Sequence, residues 1–133
     1  MKRLFLFLVL FPIFFTSKAQ TPAPAPKTGP VIKFLEKSHE FSDIYSGDTV
    51  YHTFKFVNDG IAPLILSEVL VTCGCTTPTW PKEPILPGKG AEIKVMFKSI
   101  GKEGIQNKVI TILSNATNSP ERISIRVNVL PPK

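Results

Sequence analysis

Val50-Tyr51-His52-Thr53-Phe54-Lys55-Phe56-Val57 is the stretch that decides the fold. Its apolar residues recur at every second position, so an extended chain places Val50, His52, Phe54 and Phe56 on one face and Tyr51, Thr53, Lys55 and Val57 on the other. The residue types, β-branched and aromatic, suit a pleated surface buried on one side.

The same period continues downstream. Ile93, Val95 and Phe97 alternate with Glu92, Lys94, Met96 and Lys98, and Ile123, Ile125, Val127 and Val129 alternate with Arg122, Ser124, Arg126 and Asn128. Both read as antiparallel strands with one wet face. Leu64 to Thr72 and Val109 to Leu113 are more uniformly apolar, which predicts strands near the centre of a sheet. Ser46-Gly47-Asp48, Asn58-Asp59-Gly60, Pro87-Gly88, Gly101 to Gly104 and Asn115 to Pro120 mark chain reversals. No segment carries a helical stripe. About seven short strands separated by turns predict an all-β, antiparallel immunoglobulin-like β-sandwich over residues 31–133.

Upstream, Met1-Lys2-Arg3 is a basic start, Leu4 to Phe15 is apolar, and Ser17-Lys18-Ala19 sets small residues where a signal peptidase reads. Residues 1–19 are thus expected to be a signal peptide, and the apolar run is shorter than a membrane span requires. After cleavage the first residue is Gln20 rather than a lipid-bearing cysteine, so the mature chain is expected to be exported without membrane insertion. Residues 20–30 alternate Pro with Ala and read as an extended linker. Cleavage removes three of the 16 basic residues and none of the 10 acids, leaving 13 against 10, a net charge of +3 rather than +6. That mild excess is interleaved with acids, and no basic, aromatic-studded face for nucleic acid is expected.

The order of short motifs along the domain is distinctive: His39-Glu40-Phe41-Ser42-Asp43-Ile44, Phe54 to Gly60, Pro63-Leu64, Cys73-Gly74-Cys75-Thr76, Trp80, Pro84-Ile85 and Pro87-Gly88. This series, over about Phe34 to Val129, resembles the bacterial domain-of-unknown-function family 1573, itself similar to Hydin-type and major-sperm-protein-like immunoglobulin folds. The resemblance implies a secreted protein, often of Gram-negative bacteria, without established catalytic activity. The chain departs from the family pattern at Ser42 and Asn128, where glycine is often found.

Cys73 and Cys75 are the only cysteines, one residue apart, so the sheet-stapling disulfide of antibody domains is excluded. Three readings stand open. On an extended strand the two sulfurs point the same way, spaced to chelate a soft ion such as Cu(I). If Gly74 adopts backbone angles closed to other residues, the pair can close a redox-labile disulfide, whose short loop makes it a weak staple. Otherwise Gly74 makes a bulge and the cysteines pack as small hydrophobes. A metal site built on the thiols would need further ligands, and only His39, His52 and Met96 remain as soft or imidazole donors in the mature chain. His52 faces the core and reads as a satisfied core histidine, while His39 reads as an exposed residue at the start of a loop. No metal site or cofactor is expected.

The proline-rich segment after the cysteines reads as a loop, and Trp80 on it, between Pro78 and Pro81, reads either as an aromatic that stacks on a sugar or anchors a protein, or as a lid on the end of the sandwich close to the thiols. Asn115-Ala116-Thr117 is a formal N-linked sequon, and Asp48-Thr49-Val50 resembles an O-linked acceptor pattern, so Asn115 and Thr49 are candidate glycosylation sites. Catalytic fingerprints are absent from the sequence and its acids are scattered. The residues together predict a non-catalytic binding or scaffolding module of the envelope, in the periplasm or at the surface of a Gram-negative bacterium. Its expected partner is a protein or glycan. The alternative is a thiol protein acting through Cys73 and Cys75.

Overall fold

A computed structural model describes residues 21–25 and 27–133; the expected signal peptide lies outside them. Nine strands follow in order: β1 Ile32–Phe34, β2 Ser38–Glu40, β3 Ile44–Tyr45, β4 Thr49–Asn58, β5 Leu66–Val71, β6 Thr76–Thr79, β7 Gly90–Lys98, β8 Gly104–Ser114 and β9 Glu121–Leu130. They form two sheets, β1-β4-β7-β6 and β2-β9-β8-β5, with β3 also paired to β9. The architecture is an all-β sandwich of the immunoglobulin-like kind.

The period-two reading of the long strands holds residue by residue. Phe54, Phe56, Ile93, Val95 and Phe97 from the first sheet meet Ile110, Ile112, Ile123, Ile125, Val127 and Val129 from the second, all buried in one core. Between them, Lys55, Lys94, Arg122 and Arg126 face water. Burying each of these large side chains stabilises the fold by about 1.5–3 kcal/mol relative to exposure, which is how the sandwich holds without an inter-sheet disulfide.

Four features depart from the expectation. First, the second sheet is mixed, because β2 and β3 run parallel to β9, Ser38 opposite Ser124 and Ile44 opposite Val129. The chain leaves β1 in one sheet, lays β2 and β3 along the edge of the other, and returns through the turn at Gly47, where φ is +104°. Second, β5 is an edge strand, not a central one. A bulge after Leu66 turns both Leu66 and Val69 inward and leaves Ile65 and Leu70 each 43% exposed. Its uniform apolarity therefore does not come from burial on both faces. Third, the proline-rich segment after the cysteines contains a strand. Pro78 sits in β6 opposite Val95, which is permitted because β6 is an edge and no neighbour needs the missing N–H. Fourth, Gly29 and Pro30, read as the end of the linker, are buried, with Gly29 O accepting from Ile61 N and Pro30 O from Thr117 N.

Two buried polar side chains organise the ends of the sandwich. Asn58, fully buried, donates through Nδ2 to Ala62 O (2.7 Å) and Ile85 O (2.8 Å), and its Oδ1 accepts from Gly60 N (3.0 Å) and Val31 N (3.3 Å). Every hydrogen-bonding site of the amide is used, as a buried amide requires. Ser99, also fully buried, places Oγ 2.7 Å from Asp48 O and accepts from Gly47 N, fixing the turn that returns the chain to β4. At the open edge of β1, Asn118 accepts from Ile32 N and donates to Ile32 O, doing the work of a neighbouring strand.

Candidate functional site

Cys73 and Cys75 form a disulfide at the corner where the chain leaves edge strand β5 of one sheet and enters edge strand β6 of the other. Their Cα atoms are 5.3 Å apart, inside the range a disulfide needs. The tripeptide is a turn rather than extended strand, so the parallel-sulfur geometry expected for chelation is not what it adopts. Gly74 is exposed, lies outside the left-handed region, and a Cβ added to it would meet nothing within 4 Å. The bridge thus closes without the special backbone angles expected of that glycine. Cys75 rests on the core, and the Oγ1 of buried Thr76 lies 3.8 Å from Cys73 Sγ and 4.0 Å from Cys75 Sγ. Cys73 and Cys75 are half-buried residues on either side of the exposed Gly74.

Trp80 is not beside the cysteines. The four residues of β6 stand between them, and an extended strand at about 3.3 Å per residue carries Trp80 about 16 Å from Cys75. Cys75 O accepts from Lys98 N at one end of β7, whereas the register of β6 brings Trp80 to the other end, near Glu92. The indole packs against the core and carries the Lys82 ammonium 3.2 Å from its ring centroid, a cation–π contact. A sugar stacking there would have to displace Lys82. The indole N–H is buried and has no acceptor among the described residues.

The two modification candidates differ in access. Thr49 is exposed at the start of β4. In the sequon, Asn115 accepts from Ile65 N (2.8 Å) and donates to Pro63 O (3.1 Å), while Thr117 is held by Pro30 O. The sequon therefore bridges β8 to the start of β5 and to the segment before β1.

A constellation not expected from the sequence lies at the opposite seam of the sandwich. His39, read as an exposed loop residue, is in β2 and only partly exposed, and His52, on the inward face of β4, comes to it from the other sheet. The imidazoles stack, centroids 3.6 Å apart and planes within 10°. Glu36, on the connection between β1 and β2, accepts a 2.5 Å hydrogen bond from His52 Nε2. An ionised carboxylate can only accept, so Nε2 carries the proton. Phe41 and Phe54 meet the stack edge-on, at 4.6 Å from His39 and 4.7 Å from His52. Burial first, and the neighbouring His52 second, hold the His39 pKa below its ordinary 6.5, with Glu36 opposing. Nothing in the spacing of residues 36, 39 and 52 announces the cluster, because it depends on a crossover between sheets; the one hint was a histidine on a core-facing position.

The sequence of residues 32–129 matches the family model described as "Protein of unknown function (DUF1573)". The chain belongs to this family. No curated protein matches the sequence. Among solved structures, the chain is similar to a protein of unknown function from Porphyromonas gingivalis W83, with a TM-score of 0.66 and 18% identity over 82% of this chain and 51% of that one. It thus spans about half the length of that relative. It is also similar to the ASH / PapD-like domain 7 of human CEP192, with a TM-score of 0.60 and 12% identity over 93% of this chain and 99% of the domain. The E. coli chaperone DraB gives 0.53 and 11%, over 78% of this chain and 57% of the chaperone. At these identities the likeness is one of fold, and the DUF1573 domain described above is an immunoglobulin-like sandwich.

Proposed function

We propose that this DUF1573 protein is an exported, non-catalytic binding or scaffolding module of a Gram-negative cell envelope that takes up a partner's extended segment along β5. One observation carries the reading. β5 is paired on one side only, it exposes Leu70, the residue just before it, Ile65, is exposed as well, and Glu68 is the sole charged residue in the strand. Edge strands are ordinarily blunted by lysine, proline or cover, as β6 is by Pro78 and β1 by Asn118. Beyond the bulge after Leu66, the edge from Val69 to Val71 carries no lysine or proline, and such an apolar edge is the surface to which a peptide adds as a further strand, with backbone hydrogen bonds supplying affinity and alternate side chains specificity. The fold's occurrence in a chaperone agrees with such a role without requiring it.

The test introduces a guard. Leu70→Lys, made in the exported protein, should abolish recovery of the partner by a photo-crosslinker placed at Glu68 while leaving the thermal unfolding curve unchanged. Undiminished crosslinking would remove β5 from the reading. Export is checked by N-terminal sequencing of the mature protein, expected to begin at Gln20.

A second reading rests on the disulfide. Its half-buried cysteines flank the exposed Gly74 and its loop is short, so exchange with an external dithiol would make the protein a redox participant acting through Cys73 and Cys75. Replacing both cysteines by serine separates the two: partner binding survives under the first and function is lost with the fold intact under the second.

A further inference from the structure

The imidazole pair at the seam of the sandwich lies outside everything the binding module requires. Glu36, His39 and His52 each offer a ligand atom, and these atoms all lie within 4.8 Å of one another. We propose that the three residues form a binding site for a divalent transition metal ion of the zinc class, clamping the two sheets together.

The argument begins with the proton on His52. It occupies the line between Nε2 and Glu36 Oε1, so a metal ion that displaces it gains a neutral imidazole nitrogen and a carboxylate oxygen at once, and the proton leaves to solvent. His39 then supplies the third ligand from the other sheet. With bonds of about 2.0–2.2 Å, tetrahedral ligand atoms stand about 3.4 Å apart, so the His52–Glu36 pair, now 2.5 Å, must open by about an ångström, the longer separations, none above 4.8 Å, must close by no more than about 1.4 Å, and the stacked rings must splay. The parts that move can do so: Glu36 is an exposed side chain on a connection, and His39 lies on a three-residue edge strand. His52, on long β4 and 18% exposed, is the fixed member.

Two imidazoles and one carboxylate from three protein positions, with the fourth position open to water, make a donor set suited to zinc, nickel, copper(II) or iron(II) and unsuited to magnesium or calcium, which take oxygen. The edges of Phe41 and Phe54 close the apolar side and limit where the rings can turn. Cys73 and Cys75 are oxidised to each other and have no thiolate to compete for the ion.

The consequence is mechanical as well as chemical. Glu36 precedes β2, His39 is in β2, and His52 is in β4, so the ion would join the weakly held edge of one sheet to the middle of the other. Metal that binds only the folded state raises its stability.

The experiment titrates Zn2+ into untagged, EDTA-stripped mature protein by calorimetry, with Mg2+ in parallel, and records Tm with and without zinc. The expected result is saturable uptake of one equivalent of Zn2+, none of Mg2+, and a zinc-dependent rise in Tm. Glu36→Gln, on an exposed residue that leaves the fold intact, and His39→Gln should each weaken zinc binding by at least about tenfold and remove the Tm rise. The Cys73→Ser/Cys75→Ser variant should bind zinc as the parent does. Failure to saturate, or equal zinc affinity in the parent and in both the Glu36→Gln and His39→Gln variants, overturns the proposal.

Discussion

Removing the Asn58 side chain should cost this sandwich more than any polar substitution elsewhere in it. The amide is fully buried and makes four hydrogen bonds, to Val31 N, Gly60 N, Ala62 O and Ile85 O, so it ties the approach to β1, the loop after β4 and the segment before β7 to one point. Each bond contributes about 0.5–1.5 kcal/mol net, and a partner left buried and unpaired costs about 1–3 kcal/mol. Loop partners such as Gly60 N and Ala62 O can relax toward water, so we expect Asn58→Ala to lose about 3–5 kcal/mol rather than the full sum. For a domain of about 100 residues that is a fall in Tm of at least about 12 °C. Urea unfolding followed by the fluorescence of Trp80, the single tryptophan, measures it, with an unchanged m-value marking a loss of stability rather than of compactness. Asn58→Asp sharpens the test. It keeps the two accepted bonds but sets a carboxylate against two carbonyl oxygens in the core, which raises its folded pKa above the unfolded value of about 4. Between those two values the native state binds the extra proton, so this variant should regain stability as the pH is lowered toward about 4. A loss below about 1 kcal/mol for Asn58→Ala, or an Asn58→Asp variant that weakens steadily on acidification, would refute the reasoning.

Gly60→Ala should destabilise through a different cause, since a Cβ there would lie 2.2 Å from Gly29 O and 2.5 Å from Val31 N; we expect about 2–4 kcal/mol in the same urea assay and new protease sensitivity ahead of β1. Cys73→Ser/Cys75→Ser should cost no more than about 1.6 kcal/mol, the chain-entropy value for a three-residue loop, and should leave the circular dichroism spectrum unchanged. In EDTA-treated protein His39 should make stability depend on pH. Its folded pKa lies below 6.5, so the unfolded chain binds more protons in the window between them, and stability is full above about 6.5 and falls as pH drops through that window. His52 and Glu36 face the same ring, and His39→Gln should flatten the fall in urea midpoint on acidification below about pH 6.5.

The strands that carry the core were legible because their side chains alternate with period two, and that pattern survives folding unchanged. Phe54, Phe56, Ile93, Val95, Phe97, Ile123, Ile125, Val127 and Val129 could be assigned inward from spacing alone, and the ordered motifs named the family and hence the sandwich. The sequence also limited any disulfide to a loop too short to staple the sheets, while leaving open whether Cys73 and Cys75 pair, which the structure shows. What it could not decide was which strand is a neighbour of which. Leu66 to Val71 is apolar enough for a sheet centre, yet only strand order makes it an edge, and only a bulge turns Leu70 out to water. Thr76 to Thr79 looked like loop because proline breaks ladders, and it is a strand because an edge does not need the missing N–H. His39 and His52 were each readable as unremarkable, one at the surface and one in the core. Their meeting with Glu36 requires β2 to leave the sheet that β4 belongs to and lie opposite it, a tertiary crossover with no local signature, since residues distant along the chain become ligands to one point only after both sheets have formed.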